Sequence, residues 1–221
     1  MLSCLALVAS FFAVSSAQQF GPYYSLGATS SYIIEATTTL TPSKVPSPAA
    51  DRLALWPGMG TDGGGLYQSI VLAVASPESE CGGSTGQWCA FASVYDGTQQ
   101  SGDSVPIDAN TPVTINYKYD ESNESYTQKV TVNGKVISTI TTCPSVSSVA
   151  IGWGTAVECQ DDACNGTSTT HTYTNTTIVL AAADSSFGST LSVNLVTASE
   201  ITSDDNITWT VESISVPEYS W

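Results

Sequence analysis

The chain has 221 residues and carries 20 Asp and Glu against five Lys and Arg, which gives a formal net charge of −15. The few basic residues form no cluster that could neutralise several phosphates, so the composition argues against nucleic acid and anionic membranes as partners. Charged residues make up only 11% of the chain, and the abundance of Thr, Ser, Val and Gly favours β structure over surface helices.

The chain begins with an apolar run at residues 2–14. This run is too short to cross a bilayer as a helix, and small residues follow it at 15–17. The pattern predicts a secretory signal peptide, residues 1–17, cleaved after Ala17. A buried N-terminal element is the alternative. We therefore expect a secreted, extracellular protein.

Strand-like segments fill the first half of the mature chain. A polar lead-in at 18–31 precedes a β-branched strand at 32–40, and a proline-rich loop follows at 41–50. A strand at 53–56 stops at Pro57, and the nearly continuous apolar run at 66–76 predicts a strand covered on both faces.

Later segments alternate between apolar and polar residues. Strands are predicted at 87–97 and 112–120. The dipeptide Asn133-Gly134 separates two alternating runs, which predicts a hairpin pairing 126–132 with 135–140. The remaining predicted strands are 149–158, 171–183, 190–198 and 206–217.

About eleven short strands with turn signals between them, and no convincing amphipathic helix, predict a β-sandwich or barrel. No repeat of fixed period suggests a propeller. We assign residues 18–50 to a lead-in strand and proline-rich loop and 51–221 to the sandwich. We treat 18–221 as one domain because no linker interrupts it.

Five cysteines follow the predicted cleavage point. In a secreted chain they indicate disulfides, and the close spacings favour Cys81–Cys89 and Cys159–Cys164. Cys143 is left over, either free and buried or exchanged into one of these pairs. The segment 159–164 lacks a second ligand pair, so no metal is predicted, and no motif indicates a cofactor.

Four Asn-x-Ser/Thr triplets occur, and in a eukaryotic secreted protein they predict glycans on exposed loops. Their asparagines are Asn123, Asn165, Asn175 and Asn206.

Several side chains are candidates for a site. His171 is the only histidine, with a structural hydrogen-bonded role as the alternative to chemistry or binding. Trp56, Trp88 and Tyr95 could stack on sugar rings, although two of the three tryptophans at 56, 153 and 209 are expected in the core. Glu158 ends an apolar strand, where a solvated charge is the alternative to an acid–base role.

The segment from Trp56 to Gln68, WPGMGTDGGGLYQ, resembles the eqolisin (glutamic) peptidases. The order of an aromatic strand (QWCAFASVYDG), SGDSVPI and the hairpin extends the likeness over residues 53–160. The resemblance implies a concanavalin A-like jelly-roll sandwich of two antiparallel sheets, with Gln68 matching the catalytic Gln. The family's catalytic Glu precedes a Trp, and here Gly152 occupies that place.

Glu158 lies six residues beyond Gly152 on the same strand face, roughly 20 Å along the strand, and it or another carboxylate would have to act with Gln68. The end of the chain is similar to secreted fungal proteins of this fold, which implies a fungal source.

The leading hypothesis is a monomeric, secreted glycoprotein with a lectin/glucanase-like sandwich that binds carbohydrate or another extracellular polymer such as cell-wall material. The alternative is an acid-acting hydrolase, an eqolisin-like peptidase or a glycoside hydrolase, that uses Gln68 with a carboxylate such as Glu158. A non-catalytic interaction or effector protein is the third hypothesis.

Overall fold

The computed structural model describes residues 19–47, 52–142, 148–160 and 166–221. Nearly all regular structure in these ranges is β-strand. The strands are β1 (Gln19–Gly27), β2 (Ile33–Pro42), β3 (Leu53–Thr61), β4 (Leu66–Ala73), β5 (Trp88–Tyr95), β6 (Gln99–Ser101), β7 (Val105–Ile107), β8 (Val113–Asp120), β9 (Ser125–Val132), β10 (Lys135–Thr141), β11 (Ala150–Cys159), β12 (Thr167–Ser168), β13 (His171–Leu180), β14 (Ser192–Asn194), β15 (Thr197–Ala198), β16 (Thr208–Val216) and β17 (Tyr219–Ser220). A one-turn helix, α1 (Pro77–Cys81), and a 3-10 turn (Phe187–Thr190) complete the described elements.

Two large antiparallel sheets form a sandwich, as the sequence predicts. The first sheet has the order β14-β1-β11-β3-β4-β5-β6, with β7 also paired to β5. The second has the order β10-β9-β8-β2-β13-β16-β15, and β12 pairs with β17 apart from both. Neighbouring strands in the sheet are often distant in sequence, so the fold is held by long-range pairing.

The main core lies between the two sheets. Along β3, Leu53, Leu55 and Met59 are buried in it, and Ile115 and Tyr117 come from the second sheet. Because side chains alternate across a strand, the residues between them on β3 point to the outer face of the first sheet.

A second apolar cluster covers part of that outer face. It contains Ala54, Ile70, Leu72, Val74, Cys89 and Phe91, with Trp56 and Cys81 packed against it. The run at 66–73 is therefore covered on both sides, which explains why it lacks polar alternation.

The predicted hairpin is present. Val132 pairs with Lys135, and both Asn133 and Gly134 have positive φ. A two-residue turn of this kind needs such backbone angles, which Asn and Gly adopt most readily.

Two N-terminal segments differ from prediction. The lead-in contains β1, which lies inside the first sheet between β14 and β11. Strand β3 does not stop at Pro57 but runs on to Thr61. Proline has no backbone N–H to donate to a neighbouring strand. The pairing of β3 with β4 accordingly skips Trp56 and Pro57, whereas its pairing with β11 continues through both.

The single strand predicted at 190–198 is two short strands in different sheets. β14 pairs with β1 in the first sheet and β15 with β16 in the second. Leu195 lies between them with φ of 60°, where the chain passes from one sheet to the other.

The Cys81–Cys89 disulfide is present, with Cα atoms 5.8 Å apart. Cys159 is also disulfide-bonded, but Cys143 and Cys164 lie outside the described residues, as does the predicted signal peptide. Within the described part of the chain, no helix has the length and apolar character needed to cross a membrane.

Candidate functional site

A groove of about 610 Å³ runs across the outer face of the first sheet. Most of its lining comes from three adjacent strands, β1, β11 and β3, and is predominantly apolar. The lining residues are Phe20, Tyr23, Ser25, Leu26, Gly27, Ala28, Trp56, Gly58, Gly60, Thr61, Leu66, Ile151, Gly152, Trp153, Gly154, Thr155 and Ala156.

The floor of the groove is built from glycines. Gly152 pairs with Gly27 on one side and Gly60 on the other, and Gly154 pairs with Gly58. No side chain rises from Gly60, Gly152 or Gly154, so the backbone is accessible there, whereas Gly58 is buried beside the Trp56 ring.

These glycines differ in the space around them. A Cβ on Gly154 would come within 2.8 Å of the Tyr24 carbonyl oxygen, and one on Gly152 within 2.9 Å of the Leu26 carbonyl oxygen. A Cβ on Gly60 would meet nothing within 4 Å. Gly60 therefore opens directly into the groove.

Trp56 forms one wall and is held by Glu158. The indole Nε1 donates a hydrogen bond of 2.8 Å to Glu158 Oε2, and Trp56 also packs against the second apolar cluster. Glu158 is only 4% exposed. Burial raises the pKa of its carboxyl, opposed by hydrogen bonds from Trp56 and Gln160, so Glu158 takes up a proton at a higher pH than an exposed glutamate does.

Gln68 lies beside the glycine floor. It pairs with Gly58 on β3 and with Ser93 on β5, and it is 5% exposed. Its Oε1 is buried without a hydrogen-bond partner among the described residues. Buried amides normally satisfy such atoms, so the unpaired acceptor singles out Gln68, although Gln68 is not among the residues that line the groove.

Gln68 and Glu158 share the outer face but are not brought together. Glu158 pairs with Ala54, which pairs with Leu72, four residues from Gln68 along β4. Their Cα atoms are two strands apart across the sheet and four residues apart along it, which amounts to a distance of about 16 Å. Trp56 occupies the position between them, so a single water would not bridge the pair in this arrangement.

None of the other predicted binding residues lines the groove. Trp88 is fully buried between the sheets and donates to the Ser43 carbonyl, so its ring faces are not available to a ligand. Tyr95 is exposed and pairs with Leu66 at the groove's edge.

His171 lies in the second sheet and is 3% exposed. Its Nδ1 is 3.1 Å from the Thr169 carbonyl oxygen, and its Nε2 has no partner among the described residues. Burial lowers its pKa to about 4.

Sequence reasoning missed the rim of the groove. Asp184 accepts hydrogen bonds from Thr29 Oγ1 and the Ser30 amide, and from the amide and hydroxyl of Ser186. These bonds fix the loop that follows Gly27, and they hold the pKa of Asp184 well below its usual range. The sequence Asp-Ser-Ser at 184–186 favours a turn and is the signal that could have indicated this loop.

The predicted glycosylation sites remain predictions. Asn123 and Asn175 are exposed, Asn206 is half-buried, and Asn165 lies outside the described residues. Within those residues, no group of three His, Cys, Asp or Glu side chains is placed to hold a metal ion.

Comparisons with known proteins give structural likeness only. No family model and no curated protein sequence matches the chain. The fold is similar to scytalidoglutamic peptidase solved with a peptide-based transition-state analogue, with a TM-score of 0.60, 10% identity, and coverage of 92% of this chain and 99% of that one. It is also similar to SCP-B, an eqolisin-family peptidase solved with the tripeptide Ala-Ile-His, with a TM-score of 0.59, 10% identity, and coverage of 92% and 99%.

At this level of identity the likeness establishes a shared two-sheet sandwich. It agrees with the fold that the resemblance at 53–160 implies.

Proposed function

We propose that the groove binds an extended stretch of polypeptide. The observation that carries this proposal is the glycine floor at 60, 152 and 154, which leaves a strip of backbone open beside the Trp56 wall. An extended chain can lie along such a strip, with its side chains directed to the walls.

The groove lining favours a peptide over a sugar. A saccharide presents hydroxyls around its ring and needs several polar groups to pair with them. The lining is mostly glycine and apolar side chains, and none of its described members is a carboxylate, amide or guanidinium. The similar structures, solved with peptide ligands, support the hydrolase hypothesis more than the carbohydrate hypothesis.

Gly60 provides the sharpest test of binding. Gly60→Leu adds a side chain to open space in the groove and should weaken binding at least tenfold, while Gly60→Ala should have a smaller effect. Ser215, exposed on the second sheet, gives the matched control Ser215→Leu.

The probes are an array of overlapping segments from an unfolded protein and an array of oligosaccharides. Peptide binding that is lost in Gly60→Leu and kept in Ser215→Leu supports the proposal. No peptide binding by the wild type refutes it. Oligosaccharide binding lost in Gly60→Leu would restore the carbohydrate hypothesis.

Acid hydrolysis of the bound peptide is the second candidate function. It is favoured by the Gln68 acceptor, which is unpaired among the described residues, and by the raised pKa of Glu158, which lets that carboxyl hold its proton at a higher pH than an exposed glutamate does. Because their Cα atoms are about 16 Å apart, Gln68 and Glu158 would contact different parts of the bound peptide in this candidate function.

Mass spectrometry of the same peptides after incubation between about pH 3 and pH 7 tests this candidate function. Cleavage that falls sharply in both Gln68→Ala and Glu158→Gln supports it. Peptides that stay intact, or cleavage unchanged in both variants, contradict it.

A further inference from the structure

One end of the groove has the form of a slot between aromatic side chains, which we call the aromatic slot and define by Tyr23, Ala156 and Trp56, with Phe20 and Glu158 at its end. Ala156 pairs with Tyr23 on β1 and with Trp56 on β3. The Cα atoms of the two aromatic residues are therefore two strand spacings, about 10 Å, apart. Ala156 forms the floor and is 6% exposed.

The Trp56 wall is fixed before any ligand arrives. Glu158 accepts from its indole nitrogen at 2.8 Å. A Cβ on Gly58 would lie 3.2 Å from two carbons of the six-membered ring, so glycine there allows the ring to rest against the strand. A wall held in place loses little rotamer freedom when a ligand binds.

Tyr23 and Phe20 leave the slot open to solvent. The Tyr23 hydroxyl is 3.4 Å from Ser192 Oγ on the edge strand β14, which draws its ring away from Trp56. Phe20 pairs with Glu158 and is 56% exposed. An exposed Phe beside an apolar groove is a large hydrophobic surface that a ligand would remove from water.

We propose that the aromatic slot selects polypeptides that present an aromatic side chain, with basic residues flanking it. The inference rests on the peptide-binding function proposed above. The planar ring of a ligand's aromatic side chain fits between Tyr23 and Trp56 because the residue between them, Ala156, is small. Contacts between aromatic rings also stabilise binding beyond the burial of apolar area alone. The basic flanks rest on the net charge of −15, which attracts cationic ligands to the protein as a whole, since no described residue lining the groove is charged.

The test compares two peptides that differ at one position. Both carry Lys at each end, and the central residue is Phe in one and Ala in the other. We expect the Phe peptide to bind the wild type at least tenfold more tightly, about 1.4 kcal/mol. Ala156→Leu fills the floor and should bring this ratio towards one, whereas Ser215→Leu should leave it unchanged.

Glu158 provides an independent test if Ala156→Leu does not fold. Glu158→Gln keeps an oxygen that can accept from the Trp56 indole, and it should retain the preference. Glu158→Leu removes the acceptor and should reduce the preference several-fold. Near-ultraviolet circular dichroism checks that each variant keeps its packing.

The outcomes separate the two proposals. Peptides that bind with equal affinity whether the centre is Phe or Ala overturn the aromatic slot and leave peptide binding standing. A preference that survives both Ala156→Leu and Glu158→Leu also overturns it. If neither peptide binds the wild type, the proposed function fails, and the slot fails with it.

Discussion

Acidification should destabilise this protein through His171. The ring is buried, its Nδ1–H donates to the Thr169 carbonyl, and its Nε2 has no partner within the described ranges. Adding a proton to Nε2 would create a buried, uncompensated charge. This is why burial lowers the pKa of His171 from 6.5 to about 4.

The sign follows from proton binding in the two states. Between about pH 6.5 and pH 4 the unfolded chain holds more protons at His171 than the folded chain, so stability falls as the pH falls. The full difference corresponds to about 3 kcal/mol, most of which is lost between pH 7.5 and pH 4.5. That is a large share of a typical unfolding free energy of about 5–15 kcal/mol.

Denaturant unfolding at several pH values between about 4.5 and 7.5 measures this loss in the wild type and in His171→Asn. Asparagine can still donate to the Thr169 carbonyl but does not titrate. It is smaller than histidine, so the variant should be less stable throughout, with a flatter pH dependence.

Glu158 acts with the opposite sign, because its raised pKa makes the folded state take up a proton first. Glu158→Gln should therefore make the free energy of unfolding fall more steeply as the pH is lowered. An unchanged pH slope in His171→Asn would refute the reasoning.

Three further predictions concern the groove and its surroundings. Asp184→Asn removes a carboxylate that accepts four hydrogen bonds; it should cost about 1–3 kcal/mol and loosen the rim, measured by unfolding and by hydrogen exchange at residues 29–31. Gly154→Ala forces a Cβ against a carbonyl and should lower the melting temperature, whereas Gly60→Ala should not. Replacing Cys81 and Cys89 by Ser should cost about 2–3 kcal/mol, and equal unfolding midpoints with and without the disulfide would contradict this.

Local patterns in the sequence predicted much of the fold because they report local physics. Asn133-Gly134 specified its hairpin, since few other residue pairs adopt those backbone angles so readily. Alternation and apolar runs located most strands. Two of the three tryptophans at 56, 153 and 209 were expected in the core, and Trp153 and Trp209 are buried while Trp56 is only partly buried. The prediction was wrong at 190–198, because a sequence pattern does not reveal that a strand changes sheet at Leu195.

The candidate site was predicted less well, for a definite reason. Gly152 and Glu158 lie on one face of their strand because side chains repeat every two residues, which sequence alone reveals. That Gln68 shares this face with Glu158 follows only from the pairing of β11, β3 and β4. Their separation depends on how β11, β3 and β4 are aligned, and alignment between distant strands is a property of the whole sheet. Trp88 is a second example. The sequence around it predicted a strand but did not indicate which face of the sheet its side chain would lie on, and therefore that it would be buried.

The sequence by itself determined an acidic chain, a β-sandwich or barrel and a polar Gln68 within an apolar strand, because composition and periodicity act residue by residue. The two antiparallel sheets were implied by the resemblance at 53–160. Only the tertiary structure decided that glycines from β1, β3 and β11 lie side by side as a groove floor. It alone set Glu158 against Trp56 rather than Gln68. Each of these contacts joins strands far apart in the chain, and only the assembled sheet fixes which residues meet.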